Sequence, residues 1–169
     1  MTYTSAQANK LLKKLNGEHA ALLDKESRSK DFCAAMGEDV ESVRPVYDYA
    51  DTQNRLAELE QRIRKVKHAI NVFNATHVIP GFHMTIDEML VYIPQLTQRK
   101  NKLADMKARL PKERVEEQYG RQSNIIDYTY ANYDLAAVEA DYEKTADELS
   151  RAQLALDAVN QRDTFELAE

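Results

Sequence analysis

One cysteine (Cys33), four glycines, four prolines and no tryptophan deny this 169-residue chain the parts that several fold classes require. A lone thiol forms no internal disulfide, so a disulfide scaffold is excluded and a reducing cytoplasm is the expected compartment. So few glycines and prolines cannot supply the many tight turns of an all-β sandwich or barrel. No apolar run approaches the length of a membrane span, and the opening M-T-Y-T-S-A-Q-A-N-K lacks a basic region followed by an apolar one. Neither membrane integration nor signal-directed secretion is expected. Positive charge is also in short supply, with 23 Lys and Arg against 28 Asp and Glu. The net charge of −5 argues against a protein dominated by nucleic-acid binding. A nucleophile elbow, a Walker motif, a dinucleotide glycine fingerprint and H-E-x-x-H are all missing, so no enzyme activity and no cofactor are expected.

What the chain does have is 43% apolar and 30% charged residues, the balance of a helix-rich protein with enough length for one substantial core. The pattern predicts a mainly α fold in a single domain, 1–169, of long antiparallel helices in a coiled-coil-like bundle, with one or two short β-hairpins at the connections. The first helix is expected over about 5–36, closed by Gly37, with a bend in the polar run Lys25 to Asp31. The second, about 48–73, carries Leu56, Leu59, Ile63, Val66, Ile70 and Phe73 in alternating steps of three and four. A third is expected over about 86–110, kinked by Pro94 and closed by Pro111. The last, about 134–160, places Leu135, Val138, Tyr142, Thr145, Leu149, Ala152, Leu156 and Val159 on a second stripe of the same period. Two such stripes are buried either within the chain or against another copy, so a homo-oligomer is the expected assembly.

Between the second and third helices, residues 76–85 read as a small hairpin around Pro80-Gly81, a pair suited to a type II turn. If these two residues form the whole loop, Ile79 pairs with Phe82, Val78 with His83 and His77 with Met84. His77 and His83 then point to opposite faces. With Asp87 they are the nearest approach to a metal site, and the register sets them apart, so no metal is expected. Thr85-Ile86-Asp87-Glu88 matches a capping box, with Met84 and Met89 placed as a hydrophobic staple. Asn71, Asn74, Thr76 and His83 gather here as a candidate polar pocket, although Asn near a helix end is also ordinary capping chemistry. His19 and His68 stand at no ligand spacing.

Charge is unevenly spread, with eight Lys or Arg against four Asp or Glu over 99–121 and three against ten over 134–169. Oppositely charged helices facing one another, within a chain or between chains, account for that. The segment 115–131 is β-like, with Ile126, Tyr128 and Tyr130 on one side, and Val115 to Tyr119 is its expected hairpin partner. Tyr119, Tyr128, Tyr130 and Tyr133 beside Arg109, Lys112, Arg114 and Arg121 form the best nucleic-acid signal, because aromatic rings in a basic groove hold single strands. The competing reading packs these tyrosines against the helices, with Glu113, Glu116, Glu117 and Asp127 diluting the charge.

The I-N-x-x-N-A-T helix ending at Ile70 to Thr76, the small hairpin, the T-I-D-E-M-L restart at Thr85 to Leu90 and the final helix running into Q-L-A-L-D-A-V-N resemble a group of small bacterial coiled-coil proteins of unknown function, some labelled septicolysin. The resemblance covers most of the chain and rests on structural motifs. Its label implies a cytolysin. The residues themselves point first to a self-associating helical scaffold or adaptor open to other protein partners, and second to a nucleic-acid accessory protein.

Overall fold

The computed structural model describes residues 1–115 and 126–167. It is mainly helical with short antiparallel strand pairs. In chain order the elements are β1 (Thr2–Thr4), α1 (Ser5–Ser29), α2 (Val40–Val43), α3 (Tyr49–Thr76), β2 (Val78–Ile79), β3 (Met84–Thr85), α4 (Ile86–Lys107), β4 (Lys112–Arg114), β5 (Tyr128–Tyr130), α5 (Leu135–Arg162) and β6 (Thr164–Glu166). The chain divides into two compact units: Met1–His77 with the chain from Ala158 onward, and Val78–Asp157.

In the first unit α1 and α3 lie antiparallel, as shown by His19 meeting Glu60 while Glu26, further along α1, accepts from Gln53, earlier in α3. Ala8, Leu15, Val66, Ile70 and Leu167 form the core, with Leu11, Leu12, Leu59, Ile63 and Phe165 against it. The first stripe read from the sequence is therefore spent inside the unit. β1 pairs with β6 (Tyr3 opposite Phe165), and Met1 and Leu167 exchange backbone hydrogen bonds beyond the strands. No local signal announced this pairing of residues from opposite ends of the sequence.

α1 stops at Ser29 instead of reaching Met36. Its partner α3 begins only at Tyr49, so residues beyond Ser29 have no helix to pack against, and residues 31–42 are exposed. A helix needs such packing to outweigh the entropy of ordering it. Gly37 does take a left-handed conformation (φ 88), but in a separate turn past the helix end. At its other end α3 extends to Thr76, beyond the expected Phe73, and its N-cap is Asp48, whose carboxylate accepts from the Asp51 N–H.

In the second unit the Tyr92 hydroxyl donates to Glu148 and Lys107 reaches Glu139 at 2.9 Å, so α4 and α5 also run antiparallel. Ile86, Met89, Leu96 and Leu103 are buried on α4, and Val138, Thr145, Leu149 and Ala152 on α5. The Thr85 capping box is formed as expected. α4 ends at Lys107, short of the expected 110, and α5 runs to Arg162, past 160.

The β2–β3 register differs from the expected one: Val78 pairs with Thr85 and Ile79 with Met84. Pro80-Gly81 does form the turn, with Gly81 at φ 83 and the Phe82 N–H donating to the Ile79 carbonyl at 3.3 Å. An unprimed turn splays twisted strands, however, so pairing resumes only after Phe82 and His83 have been added to the loop. His83 takes a left-handed conformation there (φ 54). The second hairpin also starts earlier than expected, β4 being Lys112–Arg114 instead of Val115 to Tyr119, most of which lies outside the described residues.

A repeat emerges once burial is known. The first, fourth, eleventh and eighteenth residues of α1 (Ser5, Ala8, Leu15, Leu22) and of α4 (Ile86, Met89, Leu96, Leu103) are the buried ones in both helices. Each helix follows a strand and begins with a Thr capping box, Thr4 with Gln7 and Thr85 with Glu88. α3 and α5 are both 28 residues long, and their fourth, eighteenth and twenty-fifth residues (Thr52 and Val138, Val66 and Ala152, Phe73 and Val159) are buried in each. With α2 and the β4–β5 pair set aside as insertions, strand, helix, helix, strand thus occurs twice, and the β1–β6 and β2–β3 pairs each join one copy to the other.

Candidate functional site

The residues of the candidate polar pocket lie at the end of α3 and in the loop between β2 and β3. Asn71, Thr76 and His83 are exposed and Asn74 is half-buried. The Thr76 hydroxyl donates back to the Val72 carbonyl at 2.8 Å, a local bond within the helix. His77, weighed in the sequence only beside His83, instead has its Nε2 2.6 Å from Asp163 Oδ2. Its ring stacks on Phe73 at 4.6 Å, and Phe73 stacks on Phe165 at 4.7 Å. These are the residues that follow and precede the ends of α3 and α5, and the arrangement ties β6 to the end of α3. Among the described residues, no three His, Cys, Asp or Glu side chains are grouped to hold a metal ion.

The charged faces of α4 and α5 are only partly matched within the chain. Lys107 lies 2.9 Å from Glu139 and 3.5 Å from Glu143, and 5.1 Å from the Tyr142 ring centre. Its hydrogen bond to Glu139 and the charges of both carboxylates raise its pKa against a smaller opposing effect of burial. Tyr92 is raised by its hydrogen bond to Glu148, then by burial and by the charge of that carboxylate. Among the described residues, Arg99, Lys100 and Lys102 on α4 have no carboxylate within 4.0 Å, and neither Asp141, Asp147 nor Asp157 on α5 has a basic partner.

The β4–β5 ribbon is where the structure gathers most of the sequence-level candidates. Lys112 pairs with Tyr130 and Arg114 with Tyr128, and side chains two apart on a strand share a face. Lys112, Arg114, Tyr128 and Tyr130 therefore lie on one side, while Glu113 and Thr129 take the other. All six are exposed. The Lys112 ammonium is 4.0 Å from the Tyr128 ring centre and 5.5 Å from that of Tyr130, and the two rings are 6.5 Å apart. Arg109 lines a cleft of about 140 Å³ with Leu110, Glu113, Thr129, Tyr130, Ala131 and Tyr133, at the base of the ribbon, where residues of both its faces meet. The Tyr133 hydroxyl donates to the Met106 carbonyl at 2.9 Å, which fixes the base of the ribbon to α4. Tyr119 and Arg121 lie outside the described residues. The pairing register was the missing signal: it sends Glu113 to the face opposite Lys112 and Arg114, while Glu116 and Glu117 lie outside the described residues.

No family model matches the sequence, and no curated protein matches it. Among solved structures, the chain is similar to a functionally unknown conserved protein from Corynebacterium diphtheriae, with a TM-score of 0.59 and 16% identity over 98% of this chain and 100% of that one. At that identity the likeness speaks for the fold.

Proposed function

We propose that this chain is a self-associating helical scaffold or adaptor, built on two antiparallel coiled-coil-like hairpins and working in a reducing cytoplasm. The observation that carries the reading is the complementary charge left unpaired among the described residues: basic on α4 at Arg99, Lys100 and Lys102, acidic on α5 at Asp141, Asp147 and Asp157. The same two helices expose Leu90, Val91 and Leu154. Apolar side chains among charges of opposite sign suit a symmetric contact in which α4 of one copy lies against α5 of another, and the reverse. The layout shared with the septicolysin-labelled proteins belongs to this reading; lysis does not. Among the described residues, no helix is long and apolar enough to cross a membrane.

Size-exclusion chromatography with light scattering tests it. At micromolar concentration and low salt the mass should be at least twice the 19.4 kDa of one chain. Raising ionic strength to about 0.5 M should shift it toward the monomer, because exposed charges are screened within a few ångströms there. Arg99→Glu combined with Lys102→Glu should have the same effect at low salt. A strict monomer under all conditions refutes self-association.

A further inference from the structure

We infer that the Lys112–Arg114 and Tyr128–Tyr130 ribbon is a binding face for single-stranded nucleic acid, a role independent of self-association. Strand alternation places two cations and two aromatic rings together on one exposed side and sends Glu113 to the other. A chain with a net charge of −5 thus presents, among the described residues of this face, two cations, Lys112 and Arg114, and no carboxylate. The tyrosines contribute little to packing here, since Tyr128 is 44% and Tyr130 61% exposed. Exposed aromatic faces beside cations fit a strand whose bases stack and whose phosphates need neutralising.

The spacing favours a single strand over a duplex. The ring centres stand 6.5 Å apart, tilted by 52°. Stacked bases rise by only about 3.4 Å per step, so two rings at this distance and tilt cannot both lie flush against neighbouring bases in a regular stack. Each can take its own base from a splayed strand. Lys112 now covers Tyr128 at 4.0 Å. Its long stem lets the ammonium swing from the ring to a phosphate, while Arg114, one alternate position along, offers a planar fork for a second phosphate.

Fluorescence anisotropy of the full chain with a labelled oligothymidine of about ten nucleotides tests the assignment, that length lying within the range one small platform accommodates. Binding should be measurable at low salt and weaken as salt rises. Tyr128→Ala and Tyr130→Ala should each weaken it by at least about fivefold, the lower end of base–aromatic stacking. Tyr130→Phe should retain it, since the ring and not the hydroxyl is the platform. Lys112→Glu should weaken it further at low salt than at high. Because all these positions are exposed, a helical circular dichroism spectrum equal to the parent's should accompany each loss. Absence of binding at low salt, affinity unchanged in both alanine variants, or equal affinity for duplex overturns the proposal. So does competition by polyglutamate as effective as that by unlabelled oligothymidine, which would assign the face to an acidic protein partner.

Discussion

Truncating Leu15 and Leu96 separately to alanine compares two leucines at the same position of the repeat in different surroundings. Both are almost fully buried, at 2% and 1% exposure. Either substitution removes three carbons, and at about 0.8 kcal/mol per buried carbon the lost transfer energy is about 2.4 kcal/mol. The two differ in what is left behind. Leu15 already forms part of the wall of an open cleft of about 230 Å³, shared with Tyr3, Leu11, Arg62, Lys65, Val66 and Leu167. Deleting its side chain enlarges that cleft, which water and the Arg62 and Lys65 stems can enter, so little dry void is created. Leu15→Ala should therefore cost about 2 to 2.5 kcal/mol. Leu96 is enclosed, and a void there adds about 24 cal/mol per Å³, which brings Leu96→Ala to about 3 to 4 kcal/mol. Urea unfolding followed by far-ultraviolet circular dichroism reads both as shifts in midpoint at unchanged slope. Equal costs, or a larger cost at Leu15, would refute the reasoning from enclosure.

Thr85→Ala removes the hydroxyl that accepts from the Glu88 N–H at the start of α4, leaving only the Thr85 N–H to donate to the Glu88 carboxylate, and should destabilise by about 1 kcal/mol, with Thr85→Ser restoring most of it, measured in the same urea titration. The pKa values of Tyr92 and Lys107 are both raised by folding, from ordinary values of 10.0 and 10.5. Both groups then hold their protons more tightly in the folded state. Their contributions are fully present below those ordinary values and are lost as pH rises through the higher folded ones. Thermal unfolding at pH 9, 10 and 11 should show stability falling over the upper part of that range, and less steeply in a Tyr92→Phe, Lys107→Met double variant. An identical decline in the variant would show that these two groups do not set the alkaline limit.

How much of this was legible depended on whether the cause was local. The α3 and α5 stripes are periodic in the sequence and are buried on the faces that the period selects, and Thr85 with Glu88 is a short-range motif with one geometry. The end of α1 was not legible, because it is set by where α3 begins and not by Gly37 or the residues around it. The His77–Asp163 contact joins residues 86 positions apart, and the β1–β6 pair joins strands that look unremarkable alone. The β2–β3 register turned on two extra loop residues that no periodicity could count. For the ribbon, composition listed the right side chains but could not sort the basic and acidic ones into faces; a pairing register did that, separating Glu113 from Lys112 and Arg114. The repeat was hidden for a related reason: α1 and α4 share buried positions more than residue types, as Ser5 and Ile86 or Ala8 and Met89 show.

The two strand pairs that join the copies of the repeat make the order of the chain partly arbitrary. Met1 and Leu167 already exchange backbone hydrogen bonds, and Ile79 and Met84 are paired across their loop. The β1–β6 and β2–β3 pairs are two crossings of the same kind between the copies, and only the second is spanned by a loop of the described residues. A gene that joins residue 169 to residue 1 through a short glycine linker and opens the loop between Pro80 and Gly81 moves the cut to the other crossing. Openings in exposed loops are the ones permuted chains tolerate. The permuted protein should keep the parent's helical content and unfold cooperatively, and the strand pair that loses its covalent loop should become the one that frays.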